Sequence, residues 1–565
     1  MAPSRPAPLA LPFLALLALL AAAQTDEPFP PSQQQQQKPP TNASDAAALR
    51  EVFRRWGLEG DASAAGKEDP CSKRAWVESL ARNASVGCSC SGSECRVTHL
   101  NVTGFWNITE IPLALFNLTE LVTLDLSNNN LSGSIPPEVG NLSKLETCTR
   151  HFNNNHLGGS FPPESSRLTN LQSLWMFDNY IEGPVPQFIE NLTNLTDLRI
   201  YGMKLRGPVP KIFSNLMNLE KLMLGDLEGG QSSFDFIADW PNLSILSLRN
   251  CGLIGHLPTN LPNLPELKYL DLRLNDLSGP IQPLSPYKYS TYLYVGENNF
   301  SGPLPSEIVQ SSRALDVSHN PSLSGTLPDN PAGRKWSINY IGTSIDASRT
   351  IDRYPVSSFA VNCGGEQKHY SDPLPTVFSE DSSDLGAAGI HVNTVGQWVV
   401  SHVGSDPFSE SPGIVNTSQD ILGTNMTQLY KTARTSTSAL SYYMLGLADG
   451  KYTVQLFFAE IVIVDEPGRR LFNIDIQDQN IKKDFDIIKE AGGPRRPTSI
   501  THETTVNNSI LVIHLYWTGR GTCCIPYEGA YGPLVSAIKL PLSKTQRSVL
   551  DRHRIQHDAM TSEEE

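Results

Sequence analysis

Apolar residues recur through the first two thirds of the chain in one phrase, L-x-x-L-x-L-x-x-N-x-L-x-G-x-I-P. Leu121, Leu145, Leu171, Leu195, Leu219, Leu243 and Leu267 open successive copies, at steps of 24, 26, 24, 24, 24 and 24 residues. From Leu121 the copy reads LVTLDLSNNNLSGSIP, and from Leu171 LQSLWMFDNYIEGPVP. A fixed period of this length predicts a solenoid, because one unit cannot bury its apolar face alone and must stack on its neighbours. Within a copy, leucines two residues apart face the same side of a short strand. The asparagine at the ninth place (Asn129, Asn179, Asn275, Asn298) predicts a ladder of donors to backbone carbonyls, and Gly-x-Ile-Pro predicts a tight turn onto the convex side. Copies start upstream at Val97, Leu100 and Val102 and continue, degraded, to Gly325, giving about ten units over 97–330. The third copy gains two residues at HFNNNH, and the sixth loses its turn signal in GDLEGGQSSFDFIADW. Met203 and Cys251 take the ladder place in two others, so Cys251 is expected to be a buried free thiol.

Other patterns flank the repeats. Leu49, Val52, Phe53 and Trp56 fall at helical spacing behind Asp45, which reads as an N-cap. With Trp76 and four cysteines this helix predicts a lid over the first repeat, spanning 45–96. Residues 331–356 read as a linker. From 357 to 540 the period changes to two: Lys451–Ile463, Leu471–Gln477 and Ser509–Trp517 predict strands separated by turn signals, and several such strands suggest a β-sandwich. The expected fold class is an α/β solenoid followed by an all-β sandwich.

Composition narrows the setting. A length of 565 residues requires more than one folded unit, and a net charge of −14 without basic runs argues against nucleic acid as a partner. Arg5, the apolar stretch Leu9–Leu20 and Ala21-Ala22-Ala23 read as a secretory signal peptide over 1–23. The Pro/Gln-rich segment 24–44 reads as a disordered leader. No second apolar stretch is long enough to span a bilayer, and the tail 541–565 is polar. Asn-x-Ser/Thr sequons stand at Asn42, Asn83, Asn101, Asn107, Asn117, Asn130, Asn141, Asn191, Asn194, Asn242, Asn299, Asn416, Asn425 and Asn507, in keeping with export. Cys71, Cys88, Cys90 and Cys95 are disulfide candidates whose pairing the sequence leaves open. Cys523-Cys524 could form a vicinal disulfide, or pack as two separate thiols.

Residues 45–330 resemble plant extracellular leucine-rich repeats. Residues 357–540 resemble a malectin domain, through FAVNCGGE (Phe359–Glu366), LYKTAR (Leu429–Arg434), FFAEI (Phe457–Ile461), GRRLFNIDIQ (Gly468–Gln477), DFDI (Asp484–Ile487) and YGPLVSAI (Tyr531–Ile538). In this order they resemble the ectodomain of plant malectin-type leucine-rich-repeat receptor-like Ser/Thr kinases. The resemblance implies a leucine-rich-repeat horseshoe, an extracellular or plasma-membrane setting, and recognition of a peptide, a glycan or another receptor ectodomain. No VAIK, HRD or DFG motif follows, so no kinase activity is expected of this chain; it reads as a truncated, alternatively spliced or secreted relative. A carbohydrate-binding cell-wall module and a soluble decoy receptor are the alternatives.

On each repeat strand, alternate residues face the concave side. There Trp175, Phe177, Asp197, Arg199, Tyr201, Arg249, Asp271 and Arg273 form the candidate ligand face, since aromatic side chains with arginine make binding hot spots. The same side chains could instead cover the strand surface or contact a neighbouring segment. Tyr430, Tyr442, Tyr443 and Tyr531 are candidates for stacking on sugar rings in the second domain, with Asn362 and Glu366 nearby, although strands of period two bury many tyrosines. No HExxH, GxSxG or P-loop occurs, Glu460 with Asp465 and Asp475 with Asp478 read as ordinary strand and turn carboxylates, and no cofactor or metal is expected.

Overall fold

One short strand from each repeat pairs in parallel with the next, so that Leu174, Leu198, Leu222, Leu246, Leu270, Leu293 and Leu315 lie opposite one another in a single buried row. The computed structural model describes residues 39–58, 69–71, 84–148, 152–327, 337–346 and 358–541, with breaks at 235, 238–239, 260, 262–263, 285–290, 372–374, 394–395, 405–412, 465–467 and 522–529. The signal peptide, Trp76, Asn83, Asp465, Cys523, Cys524 and the tail from 542 onward lie outside the described residues. Among the described residues the concave sheet has twelve strands, from the hairpin Ala84–Ser91/Glu94–Val102 to Ile338–Asn339. Among the described residues, short 3-10 helices such as Pro137–Asn141 and Gln187–Asn191 and three short parallel ladders form the other side.

The ladder is built as its spacing requires. Asn129 Nδ2 donates to the carbonyls of Val102 (2.8 Å) and Leu126 (2.9 Å), and its Oδ1 accepts from Phe105 N–H. Asn155, Asn179, Asn275, Asn298 and Asn320 repeat this bridge between turns. Each amide thus satisfies backbone groups that a buried turn would otherwise leave unpaired. Where Cys251 replaces asparagine, its thiol donates to Leu224 O at 3.2 Å, is buried and in no disulfide, and is pushed far above its ordinary pKa by that burial. In the irregular sixth repeat, where the turn signal is lost, Phe234, Phe236 and Trp240 join Leu219, Leu222 and Leu224 in the interior.

The lid helix runs Ala43–Trp56 and corrects two expectations. Its N-cap is Asn42, whose side chain accepts from the N–H groups of Ser44 and Asp45, so order begins inside the segment read as a leader. Asp45 is fully buried instead, bonded to the Arg96 guanidinium at 2.9 and 3.0 Å and to Val97 N–H. A carboxylate in the first turn that also finds an arginine across the hairpin ties lid to first repeat, a stronger use than capping. The cysteines pair Cys71–Cys88 and Cys90–Cys95.

Beyond the repeats, two six-stranded sheets face each other across one apolar core. One contains Gly450–Ala459 and Pro497–Val506; the other contains Trp398–Val403, Ala439–Leu445, Ile510–Gly521 and Arg470–Ile476. The strand expected over Lys451–Ile463 stops at Ala459 because Glu460 turns inward to meet Arg470 Nε at 2.7 Å. Arg434, the arginine of LYKTAR, is likewise fully buried against Asp381 (2.8 and 2.7 Å), which also accepts from Tyr442 at 2.6 Å.

Candidate ligand-binding site

The concave face of the solenoid is occupied by the chain's own second domain. Trp175, Phe177 and Tyr201 form a buried cluster with Trp517 and Tyr531 of the sandwich. Phe177 stacks on Tyr201 at 4.8 Å, Tyr201 meets Trp517 edge-on at 5.6 Å, and Trp517 lies 4.5 Å from Tyr531. Arg199 sits 3.6 Å above the Trp175 ring, held there by a bidentate contact with Asp197. Arg249 bonds Asp226, stacks over Trp517 and donates to its carbonyl at 2.8 Å; burial raises the Asp226 carboxyl against the pull of that guanidinium. Toward the last repeats Tyr269 and Tyr294 pack on Ala388, Val403 and Ala439, Asn339 donates to Ser401, and His319 meets Tyr443 OH at 3.0 Å.

The candidate ligand face is therefore corrected: Trp175, Phe177, Asp197, Arg199, Tyr201, Arg249, Asp271 and Arg273 are all buried, and none offers an open surface in this arrangement. Asp271 and Arg273 bond one another beneath Tyr294. The residue types were those of an interface, and the interface is intramolecular. The four tyrosines are corrected in the same way. Tyr430 packs on Phe457 inside the sandwich, Tyr442 bonds Asp381, and Tyr443 and Tyr531 face the solenoid, so no ring face is free for a sugar. Asn362 is buried and bonds the Glu366 carbonyl. None of the sequon asparagines among the described residues is buried.

One signal went unread. The residue just before the ladder place has positive φ in turn after turn: Asn128, Asn154, Asp178, Gly202, Asp226, Asn250, Leu274, Glu297 and His319. These left-handed residues line the rim where the sandwich docks. Asp178 takes a bidentate contact from Arg469 (2.7 and 3.2 Å), and Gly202 lies so close to Gly519 that a Cβ there would collide with the Gly519 carbonyl. Asparagine, aspartate and glycine at that place are the residues that tolerate this conformation, so the column was visible in principle.

Between the early repeats and the sandwich lies an open cleft of about 420 Å³, lined by Trp106, Asn128, Asn129, Asn154 and His156 on one side and by Ile463, Val464, Gly468, Arg469, Asp486, Ile488 and Pro494 on the other. That volume lies within the range of small-ligand sites, about 300–1,000 Å³. Among the described residues no cluster of side chains suits a metal ion, and no helix is long and apolar enough to cross a membrane.

A solenoid of parallel strands closed by a sandwich on its inner curve combines a leucine-rich-repeat architecture with an all-β domain. A leucine-rich-repeat region model matches residues 87–282 and a malectin domain model residues 357–538. Over these two domains the chain is similar to the ectodomain region of LRR receptor-like serine/threonine-protein kinases. Two probable LRR receptor-like serine/threonine-protein kinases of Arabidopsis thaliana are 31% identical over 346 residues (55% of this chain, 32% of theirs) and 37% identical over 254 residues (43% and 24%). The chain thus spans a third or less of the length of these curated relatives. Among solved structures, the Arabidopsis receptor kinase HAESA ectodomain in complex with an extended IDA peptide hormone is 26% identical, with a TM-score of 0.43, covering 53% of this chain and 49% of that one.

Proposed function

We propose that this chain is an extracellular recognition unit of receptor type, sensing its ligand at the joint between solenoid and malectin domain. What carries the reading is the occupied concave face: the hot-spot residues are spent on holding the two domains together, and beside them lies a cleft that both domains line. A ligand in that cleft touches both lobes and therefore stabilises their docked state. The chain itself is non-catalytic in this reading, and signalling belongs to a kinase region such as the relatives carry. Its partners are an extracellular peptide, a glycan or another receptor ectodomain.

A thermal-denaturation screen of the whole secreted chain against neutral and acidic oligosaccharides and short peptides tests this. A cognate ligand raises Tm saturably, reaching about 2.7 kcal/mol of added stability at a hundredfold excess over Kd. Flat responses to all three classes, together with no capture of a receptor ectodomain by the whole chain, would remove the recognition reading.

A further inference from the structure

The two six-stranded sheets of the sandwich have four outer strands, and three of them are guarded. Lys368–Tyr370 is three residues long and opens on a lysine. Ala388–Val392 is covered by the end of the solenoid: Ser337 Oγ donates to Ala388 O at 2.6 Å, and Ile341 shares a cluster with Ile390 and Val392. Gln479–Phe485 carries Lys482 and Lys483, and its register against Arg470–Ile476 shifts twice. Short length, lysine, cover and broken register are the devices that keep a sheet edge from pairing with another chain.

The fourth outer strand, Pro497–Val506, has none of them beyond a proline at its first position. It runs ten residues in unbroken register along Gly450–Ala459, from Pro497 opposite Ala459 to Val506 opposite Gly450. Among the described residues no strand pairs with its other side. In an antiparallel ladder alternate residues turn their N–H and C=O away from the inner neighbour, so a row of backbone donors and acceptors faces outward here. Thr498, Thr501, Thr504 and Thr505 supply the β-branched composition that strands favour, and the one carboxylate is Glu503. A sequon, Asn507-Asn508-Ser509, stands directly at the strand's end. Asn507 is exposed, and Asn508 and Ser509 take φ of 58° and 61° in the tight turn that the Asn507–Ile510 bridge closes. Asn416, another sequon residue, likewise ends the outer strand Ile414–Asn416 of the small three-stranded sheet.

We infer that Pro497–Val506 pairs antiparallel with the same strand of a second copy, and that a glycan on Asn507 keeps the chain monomeric by covering this edge. Identical strands laid antiparallel are related by a twofold axis, so every contact is made twice. With the axis at Thr501 or at His502, Glu503 meets Ser499 or Thr501, and the two carboxylates never oppose each other. No residue of this strand lines the joint cleft, so the inference stands apart from the recognition reading.

The test uses the whole chain, secreted from a glycosylating host, as wild type, Asn507→Gln, Thr501→Lys and the double variant. Thr501 and Asn507 are both exposed, so all four forms should share one Tm. Mass spectrometry reads glycan occupancy at Asn507, and sedimentation equilibrium over a concentration series reads association. Wild type and Thr501→Lys should be monomers at concentrations where Asn507→Gln is a dimer. Adding Thr501→Lys to Asn507→Gln brings two lysines together near the axis and should weaken the dimer by at least about tenfold. Thr505→Lys, in the same exposed row, repeats that block should Thr501→Lys disturb the fold. An Asn507→Gln chain that stays monomeric throughout overturns the inference and leaves the edge to a segment of some other protein. A dimer equally strong in wild type overturns it too, as does one that neither lysine weakens, since that contact lies on another surface.

Discussion

Asp381 and Arg434 illustrate what single residues do here. Both are fully buried, and Arg434 reaches the Asp381 carboxylate twice while also donating to the Asp381 and Ser383 carbonyls. Such a pair gains little over an apolar substitute but costs heavily when halved, because the surviving charge is stranded. Asp381→Asn should destabilise the malectin domain by about 3–5 kcal/mol, and Asp381→Leu/Arg434→Met together by less than either alone; chemical denaturation of the four forms checks this. Burial, helped by Arg434, lowers His402 from 6.5 to about 4. Its neutral form is the native one, so the stability it lends is complete above pH 6.5 and is lost as pH falls toward 4, where only the unfolded chain takes up the proton. The loss across that window is about 3 kcal/mol, and His402→Gln should flatten the decline of Tm between pH 7 and 4.5 relative to wild type. The letters of LYKTAR, FFAEI and GRR were plain in the sequence. Their work was not, since Arg434 acts on a carboxylate 53 residues away.

At the scale of elements, the repeat phrase dictates most of what is seen. Period fixes the strands, and the ninth place fixes the ladder. Asn275 accepts from the N–H groups of Cys251 and Leu253 and donates to the carbonyls of Leu248 and Leu272. Asn275 is half-buried, so Asn275→Ala costs about 1–3 kcal/mol only for each of these groups that water does not reach. A drop in the solenoid's unfolding midpoint by that order, larger than the drop for Cys251→Ala, is the expected result. The strand and turn pattern was legible because each repeat constrains it independently. The left-handed column was missed because Leu274, Glu297 and His319 break its composition in the last repeats, although the backbone there keeps the same hand. The N-cap was misplaced because Asn42 and Asp45 are both good caps, and only the distant Arg96 claims one of them.

For the whole molecule, the sequence announced a hot-spot surface without naming its occupant, since the contacts join residues as far apart as Asp178 and Arg469, 291 positions along the chain. No local pattern carries that information. Docking sets the molecule's shape, and Trp517 is the anchor: its ring belongs to the cluster on the concave face and not to the sandwich core. Trp517→Ala removes a buried indole, typically about 3–5 kcal/mol of packing, from the joint while leaving the core of each domain intact. Gly202→Ala attacks the same joint from the solenoid, through a Cβ aimed at the Gly519 carbonyl and a φ of +63° that alanine resists. Both variants should therefore loosen the malectin domain from the solenoid's concave face. Small-angle scattering would record a larger radius of gyration, and calorimetry would resolve two transitions where the docked chain gives one. If both variants scatter like wild type, the concave aromatics are not what holds the domains together, and the face must be reconsidered as a site for an external partner.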